Sequence, residues 1–261
     1  MRSTALSRGI TVAVAFFGAS CTTLPSSVSN TPEIFVAGGT FEFEGHPTQI
    51  SPFRLDKYEV SVTDYRRCVR RGVCPLPRRA PAPGCRYEVD GCRAKSVRRG
   101  CTYWMPGGSQ YPVNCVSVAD AATYCRWISK RLPTAKEWLF EAVGGEEDRL
   151  FPWGGQETTC KNVARSKRNG DFCFRNGFVR VDHPLDGESR NGAAHLAGSV
   201  SEWVLNPDAS GYSVAGSNIY TQPGGDSIHA GGVDRVIEFA RYPTGSSKLI
   251  TVGFRCARSP E

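Results

Sequence analysis

The sequence predicts an α+β domain with little regular secondary structure, many disulfides, two helices near its centre and short strands around them. Three observations support this fold class. The 261 residues include 28 Gly and 17 Pro, a content typical of loop-rich globular proteins. Eleven cysteines lack the spacing of zinc ligands and indicate disulfides in an oxidising compartment. Two helix-start motifs follow each other between residues 117 and 137.

The first 20 residues are predicted to be a secretory signal peptide. Two arginines precede an apolar stretch at residues 10–17, and small residues follow it. This stretch is about half as long as a membrane-spanning helix requires. Cys21 comes next, as at the junction of a bacterial lipoprotein. We therefore expect a lipidated cysteine and flexible tether over 21–33, and a domain over 34–261.

Lipidation of Cys21 also explains the odd number of cysteines, because it leaves ten that can pair. The alternative is ordinary cleavage nearby, with Cys21 as a free thiol. Lipidation predicts export to a bacterial cell envelope, with attachment to the outer membrane.

The N-terminal part of the domain is predicted to contain strands and one short helix. Alternating apolar residues indicate a strand around 41–43, and a second strand is predicted over 53–60. Thr63 is expected to cap a short helix that ends at Gly72. Residues 75–113 contain many Pro and Gly and are predicted to be loop.

The strongest helix signals lie in the middle of the chain. Ser117 and Asp120 have the spacing of a capping box and open a helix over 117–130. Thr134 and Glu137 repeat this spacing at the start of a shorter helix. Gly, Asn and Pro recur after residue 151, where we predict short strands over 202–205 and 250–254.

The net charge of +7 is concentrated in a Cys- and Arg-rich insertion at about 66–108. Between residues 66 and 99, eleven Arg and Lys accompany two acidic residues. A solvated insertion held by its own cysteines is the favoured interpretation. Anionic lipid and acidic polysaccharide are alternative partners. Nucleic acid is not expected, because the chain is predicted to be exported and no aromatics interleave with the arginines.

Seven blocks of sequence, in order, resemble one known family. They are GGTFEFEG (38–45), YEVSVTDYRRCV (58–69), YPVNCVSVADAATYCRWISKRLPTAKEWLFEAVGG (111–145), FPWGG (151–155), HLAGSVSEWV (195–204), HAGGV (229–233) and VGFRCAR (252–258). On these blocks the chain resembles the formylglycine-generating enzyme, or sulfatase-modifying factor, family. The resemblance implies a single C-type-lectin-like domain, with two helices packed beside short antiparallel strands.

The resemblance also implies one long-range disulfide, between Cys125 and Cys256. For the other cysteines of the domain the sequence does not determine the pairing, and we adopt pairing between neighbours. The expected pairs are Cys68–Cys74, Cys85–Cys92, Cys101–Cys115 and Cys160–Cys173.

Enzymes of this family oxidise a substrate cysteine to formylglycine with two cysteines that bind copper(I). The corresponding stretch, 231–241, contains no cysteine, and none lies between Cys173 and Cys256. Two thiolates are the ligands that suit copper(I), so copper is not expected. No catalytic residue is therefore assigned. The chain is predicted to be a non-catalytic binding or scaffolding lipoprotein that recognises an envelope protein, peptide or glycan.

Two enzymatic alternatives remain open. One is a formylglycine-generating-type oxidoreductase that acts on a protein cysteine. The other is an enzyme with redesigned chemistry in the same cleft, for which surface ion pairing is the simpler explanation. The residues expected in that cleft are Asp234, Arg235, Glu238 and Arg241.

Calcium is the one metal that the resemblance leaves open. The family's calcium loop corresponds to side chains of His195 and Glu202 and to two carbonyl oxygens between them. Neutral His is a poor ligand for a hard cation, so we expect this site to be weakened or lost. A second calcium site would use Asn162 and Asp171, which Cys160 and Cys173 bracket.

Overall fold

The structure, a computed structural model, covers most of the predicted domain. It describes residues 31–43, 45–78, 100–155, 159–164, 173–174, 178–206, 211–218 and 248–260, and the backbone of 237–238. The predicted signal peptide, Cys21, Cys85 and Cys92 lie outside these residues. Among the helices that it describes, none is long and apolar enough to cross a bilayer.

Nine short strands form three sheets in the described part of the chain. The strands are β1 (Glu33–Val36), β2 (Gly39–Phe43), β3 (His46–Ile50), β4 (Phe53–Asp56), β5 (Ser201–Leu205), β6 (Tyr212–Ala215), β7 (Ile237–Glu238), β8 (Val252–Gly253) and β9 (Ala257–Arg258). Their order is β1-β4-β9 in one sheet, β2-β3 in a hairpin, and β7-β6-β5-β8 in the third sheet.

One strand pair departs from the expected antiparallel arrangement. β5 and β8 run parallel, with Ser201 opposite Val252, whereas the other pairs among the described strands are antiparallel. A long connection joins β5 to β8, so no hairpin forces them to run in opposite directions. The α+β class is confirmed.

Three α-helices lie in the described residues: α1 (Val62–Arg70), α2 (Val118–Trp127) and α3 (Ala135–Ala142). Both predicted capping boxes are present. The Ser117 and Thr134 hydroxyls accept from the backbone N–H of Asp120 and Glu137, whose carboxylates accept from the N–H groups of Ser117 and Thr134.

The predicted cap of α1 was wrong. Ser61, not Thr63, occupies the cap position, and its hydroxyl accepts from the backbone N–H of Asp64 at 3.1 Å. The Thr63 hydroxyl instead donates to the carbonyl oxygen of Ser109 at 2.8 Å. A tertiary contact therefore decides which of two neighbouring hydroxyls begins the helix.

α2 ends three residues before the predicted Lys130 because the chain turns into the left-handed region at Ser129, with φ 60°. The N–H of Lys130 bonds the carbonyl of Cys125 at 2.7 Å, and the N–H of Ser129 bonds that of Arg126 at 3.0 Å. These are the two bonds of a Schellman motif, which closes a helix C-terminus.

Both of the longer predicted strands are shorter in the structure. The strand predicted over 53–60 ends at Asp56, because the chain bends at Lys57 and Tyr58. The strand predicted over 250–254 keeps only the two residues of β8, which pair with β5. The described part of 75–113 contains only two short 3₁₀ turns, as the loop prediction implies.

The domain is packed around two buried clusters. One surrounds Trp138 of α3 and includes apolar residues of β1, β2 and β4. The other surrounds Tyr65, Tyr124 and Trp203 and includes the Cys125–Cys256 disulfide. Tyr65 of α1 stacks on Tyr124 of α2 with ring centroids 5.8 Å apart, so aromatic packing joins the two helices.

Four of the five predicted cysteine pairs are confirmed, and the fifth, Cys85–Cys92, lies outside the described residues. The confirmed pairs are Cys68–Cys74, Cys101–Cys115, Cys125–Cys256 and Cys160–Cys173. The Cys125–Cys256 bond spans 131 residues and ties α2 to the C-terminal strands. Loop entropy alone makes such a closure worth about 4 to 5 kcal/mol.

Candidate functional site

Glu202 and Arg255 form a buried ion pair at the centre of the candidate site. Glu202 lies on β5, and Arg255 lies between β8 and β9. The Arg255 Nε donates to Glu202 Oε2 and its Nη2 to Oε1, both at 2.7 Å. The side chains are 0% and 1% exposed. This bidentate geometry is the strongest arrangement of an arginine with a carboxylate.

The remaining donors of Arg255 bind backbone carbonyls. Its Nη1 donates to Asp56 at 3.2 Å and to Lys57 at 2.9 Å, and its Nη2 donates to Ala194 at 2.7 Å. All five N–H groups of the guanidinium are therefore used. One side chain thus joins the end of β4, the chain before His195, and β5.

The loop that leads into β5 has little room for other side chains. At Gly198 the backbone has φ 78°, and a Cβ added there would lie 2.5 Å from the carbonyl oxygen of Ala164. The next N–H, from Ser199, donates to that same oxygen at 2.7 Å. A glycine is therefore required where the two segments meet.

Glu202 is already fully engaged by protein groups, at the site that the sequence expected to be weakened or lost as a calcium loop. Besides Arg255, its Oε2 accepts from the indole N–H of Trp138 at 3.0 Å. A calcium ion bound to Glu202 would lie close to the buried guanidinium of Arg255, which binds the same carboxylate. The two positive charges would repel each other strongly, because the dielectric is low in the protein interior. The residues of this loop do not fit the ion.

His195 is also turned inward. Its Nε2 lies 3.0 Å from the carbonyl oxygen of His183, and its Nδ1 lies 3.2 Å from Glu59 Oε2. A carbonyl oxygen only accepts, so Nε2 is the donor to His183. Glu59 Oε1 and the Ser199 hydroxyl have no hydrogen-bond partner among the described residues.

A second charged cluster surrounds Lys130, just after α2. Its Nζ contacts Glu33 at 2.8 Å and also bonds Asp56, while Arg258 pairs with Glu33 at 2.9 Å. Burial alone would raise the pKa of Glu33, but hydrogen bonds from Arg258 and Lys130 and their charges lower it to about 2. Burial raises the pKa of Asp56 to about 6, against the charge of Lys130.

The other predicted calcium site is only partly described. Asn162 is buried beside the Cys160–Cys173 disulfide, and its Oδ1 accepts from the N–H of Thr159 at 2.7 Å. Asp171 lies outside the described residues, so this pair stays a prediction. Within the described ranges, no three His, Cys, Asp or Glu side chains are grouped as metal ligands.

The predicted cleft residues are largely outside the described residues. This holds for Asp234, Arg235 and Arg241. Glu238 is described by its backbone only, in β7, opposite Val214 of β6. The cleft therefore stays a prediction.

Copper(I) has no fitting ligands in the described part of the domain, because its eight cysteines all form disulfides. The sequence has no cysteine between Cys173 and Cys256, the stretch that corresponds to the family's catalytic pair. A cysteine in a disulfide is not a thiolate, and the thiolate is the form that binds a soft metal such as copper(I).

Comparison with known proteins identifies the family. The profile described as "Sulfatase-modifying factor enzyme 1-like domain" matches residues 21–260. The chain belongs to the sulfatase-modifying factor family. This finding confirms the family that the sequence blocks indicated.

Among relatives in the sulfatase-modifying factor family, the chain is 28% identical over 237 residues to the Bos taurus protein named "Inactive C-alpha-formylglycine-generating enzyme 2". That match covers 80% of this chain and 77% of the relative. The chain is also 26% identical over 284 residues to the formylglycine-generating enzyme of Thermomonospora curvata, covering 87% and 93%. The structure of PvdO from Pseudomonas aeruginosa matches with a TM-score of 0.61 and 18% identity, over 87% of this chain and 94% of that chain. The last match confirms the fold.

Two residues at the centre of the site were not singled out from the sequence. Glu59 and Arg255 lie in the blocks YEVSVTDYRRCV and VGFRCAR, so the blocks that indicated the family also contain them. The available signal was a charged residue directly between two apolar neighbours, because a buried charge requires a partner.

Proposed function

We propose that this chain is a non-catalytic member of the sulfatase-modifying factor family that binds or scaffolds a protein, peptide or glycan in a bacterial envelope. The observation that carries the proposal is the absence of cysteine between Cys173 and Cys256. Oxidation of a substrate cysteine through copper(I) needs thiolates, and in the described domain cysteine sulfur is held in disulfides.

The buried ion pair supports the same proposal. Glu202 and Arg255 saturate each other and bind the surrounding backbone, so neither side chain is available to a substrate. Their contribution is to hold loops in fixed positions, which suits a binding surface. The name of the bovine relative, an inactive enzyme, agrees with loss of the reaction.

A copper and aldehyde assay tests the absence of catalysis. The purified protein is mixed with copper(I) and a cysteine-containing peptide, and aldehyde formation is followed by mass spectrometry. The formylglycine-generating enzyme of Thermomonospora curvata provides the positive control. We expect no aldehyde and no bound copper. Uptake of one copper(I) per chain, or an aldehyde product, would contradict the proposal and favour an oxidoreductase.

The envelope location rests on Cys21 and has its own test. In a bacterial host we expect an acylated N-terminal Cys21 by mass spectrometry and recovery of the protein with the membrane fraction. The Cys21→Ser variant should lose the acyl mass and leave that fraction, whereas Thr22→Ser should behave as the unmodified protein. An unmodified free thiol at Cys21 would contradict the anchor and leave the catalytic test unaffected.

A further inference from the structure

The surface at the C-terminal end of α1 exposes large apolar side chains beside arginines. Leu76 is 55% exposed, Val73 44% and Trp104 36%. Folded domains normally bury most of such side chains, and a group of them on the surface marks an interaction site. We call this region the α1 surface and define it by Arg70, Arg71, Val73, Leu76, Arg78 and Trp104.

Three contacts hold the α1 surface in place. The Cys68–Cys74 disulfide joins the segment after α1 to the helix itself. The Tyr65 hydroxyl donates to the carbonyl of Pro75 at 3.0 Å, and the Trp104 indole donates to the carbonyl of Arg78 at 3.1 Å. The segment that carries Val73 and Leu76 is therefore fixed against α1, and Trp104 lies beside its end.

Within the described residues, the charge of this region is positive and is not neutralised locally. Residues 65–78 and 100–115 include no Asp or Glu. The preceding acid, Asp64, pairs with Arg67, and the guanidinium of Arg66 lies over the Tyr103 ring at 5.0 Å. Arg70, Arg71 and Arg78 are exposed and form no ion pair with another described residue. They are thus available to an anionic partner.

We propose that the α1 surface binds the surface of an anionic lipid bilayer. A bilayer is the partner that uses both halves of this surface. Its acidic headgroups attract the arginines, and its interfacial region accepts Leu, Val and the amphipathic indole of Trp. A soluble polyanion would use the arginines alone and leave Val73, Leu76 and Trp104 in water.

This inference extends the proposed envelope function and rests on it for its setting. A lipid chain and a basic surface act together at anionic membranes, each adding to the attachment that the other gives. The α1 surface would then fix how the domain lies on the bilayer, whereas a flexible tether alone would leave its orientation free.

The test measures binding to vesicles without the lipid anchor. Every sample is the exported protein with Cys21→Ser, and the vesicles contain phosphatidylcholine with or without phosphatidylglycerol. We expect binding only to the anionic vesicles, weakened by salt. Arg70→Ser/Arg71→Ser should lower the partition coefficient by roughly 25-fold, since each basic residue contributes about fivefold near such a surface. Leu76→Ser should lower it by about tenfold.

Matched controls remove the same kinds of side chain elsewhere. Lys161→Ser/Arg190→Ser removes two exposed basic residues, and Leu150→Ser removes a leucine that is 41% exposed. These variants should bind within about twofold of the unmodified sequence. Circular dichroism and a non-reducing disulfide map verify that each variant is folded. Trp104→Phe should abolish the blue shift of tryptophan fluorescence on binding.

Three results would overturn the inference. One is equal binding to vesicles with and without phosphatidylglycerol. Another is unchanged binding of the Arg70→Ser/Arg71→Ser variant relative to its control. The third is binding to soluble heparin, insensitive to Leu76→Ser, with no binding to vesicles, which would assign the surface to a polysaccharide. Because Cys21 is replaced throughout, failure of the acylation test and failure of this one are separate outcomes.

Discussion

Arginine occurs in two opposite settings in this domain. Arg255 is fully buried, and all five of its N–H groups are bonded to Glu202 and to backbone carbonyls. Arg70 and Arg71 are exposed at the end of α1. The comparison separates two uses of one residue type. A saturated guanidinium holds the fold together and has nothing left for a partner, whereas an exposed one contributes little to the fold and is available for binding.

Loss of the buried arginine should have the largest effect. Arg255→Ala leaves the Glu202 carboxylate buried without its cation, and the free energy of unfolding should fall by about 3 to 5 kcal/mol. Urea denaturation measures this change. Arg255→Lys should recover only part of the loss, because an ammonium cannot reproduce the five bonds.

A double variant distinguishes charge pairing from packing at this site. Arg255→Met/Glu202→Leu removes both charges, so it should be more stable than Arg255→Ala. If Arg255→Ala lowered the free energy of unfolding by less than about 1 kcal/mol, the ion pair would not organise the domain. The contrast between Arg255 and the exposed Arg70 and Arg71 would then be weakened.

Glu33 provides an intermediate case, because it is paired but partly exposed. Its lowered pKa means that its ion pairs with Arg258 and Lys130 stabilise the fold above about pH 4.5, and that this contribution is lost as the pH falls towards about 2. Glu33→Gln should therefore lower the unfolding free energy by about 1 kcal/mol at pH 7, a value that allows for solvent screening.

The pH dependence of Glu33→Gln is the sharper measurement. The difference from the unmodified protein should shrink through the window from about 4.5 to about 2. A difference that stays constant over this window would mean that side-chain packing, not ionisation, stabilises this position.

The smallest effect on stability is expected for the exposed arginines. Arg70→Ser/Arg71→Ser should change the unfolding free energy by no more than about 0.5 kcal/mol, because exposed side chains without buried contacts contribute little. The same urea experiment measures it. A loss as large as that of Arg255→Ala would show that these residues support the fold and remove the basis of the comparison.

Local sequence patterns predicted the helices, and the pairing adopted between neighbouring cysteines is confirmed for three disulfides. The capping boxes at Ser117 and Thr134 need only residues three positions apart, and the neighbouring cysteines are close in the chain. The cap of α1 was missed because the choice between Ser61 and Thr63 depends on Ser109, far along the chain.

The candidate site was missed for the same reason, because it also depends on contacts between residues that are far apart in the sequence. Glu202 matched a calcium ligand by its place in the HLAGSVSEWV block, yet its partner Arg255 lies 53 residues away in sequence. A contact over that separation leaves no periodicity or spacing to detect. The parallel pairing of β5 with β8 was missed for the same reason.

The placement of β1 determines how the domain would respond to pulling from its N-terminal side. β1 lies antiparallel to β4, and Glu33 at its start is paired with Arg258 of β9. Tension applied before Glu33 would load the β1–β4 hydrogen bonds together in shear, and the adjacent β9 leads within two residues to the covalent Cys125–Cys256 bond. The first strand would therefore pass a force applied at its N-terminal end to a part of the domain that carries a covalent cross-link.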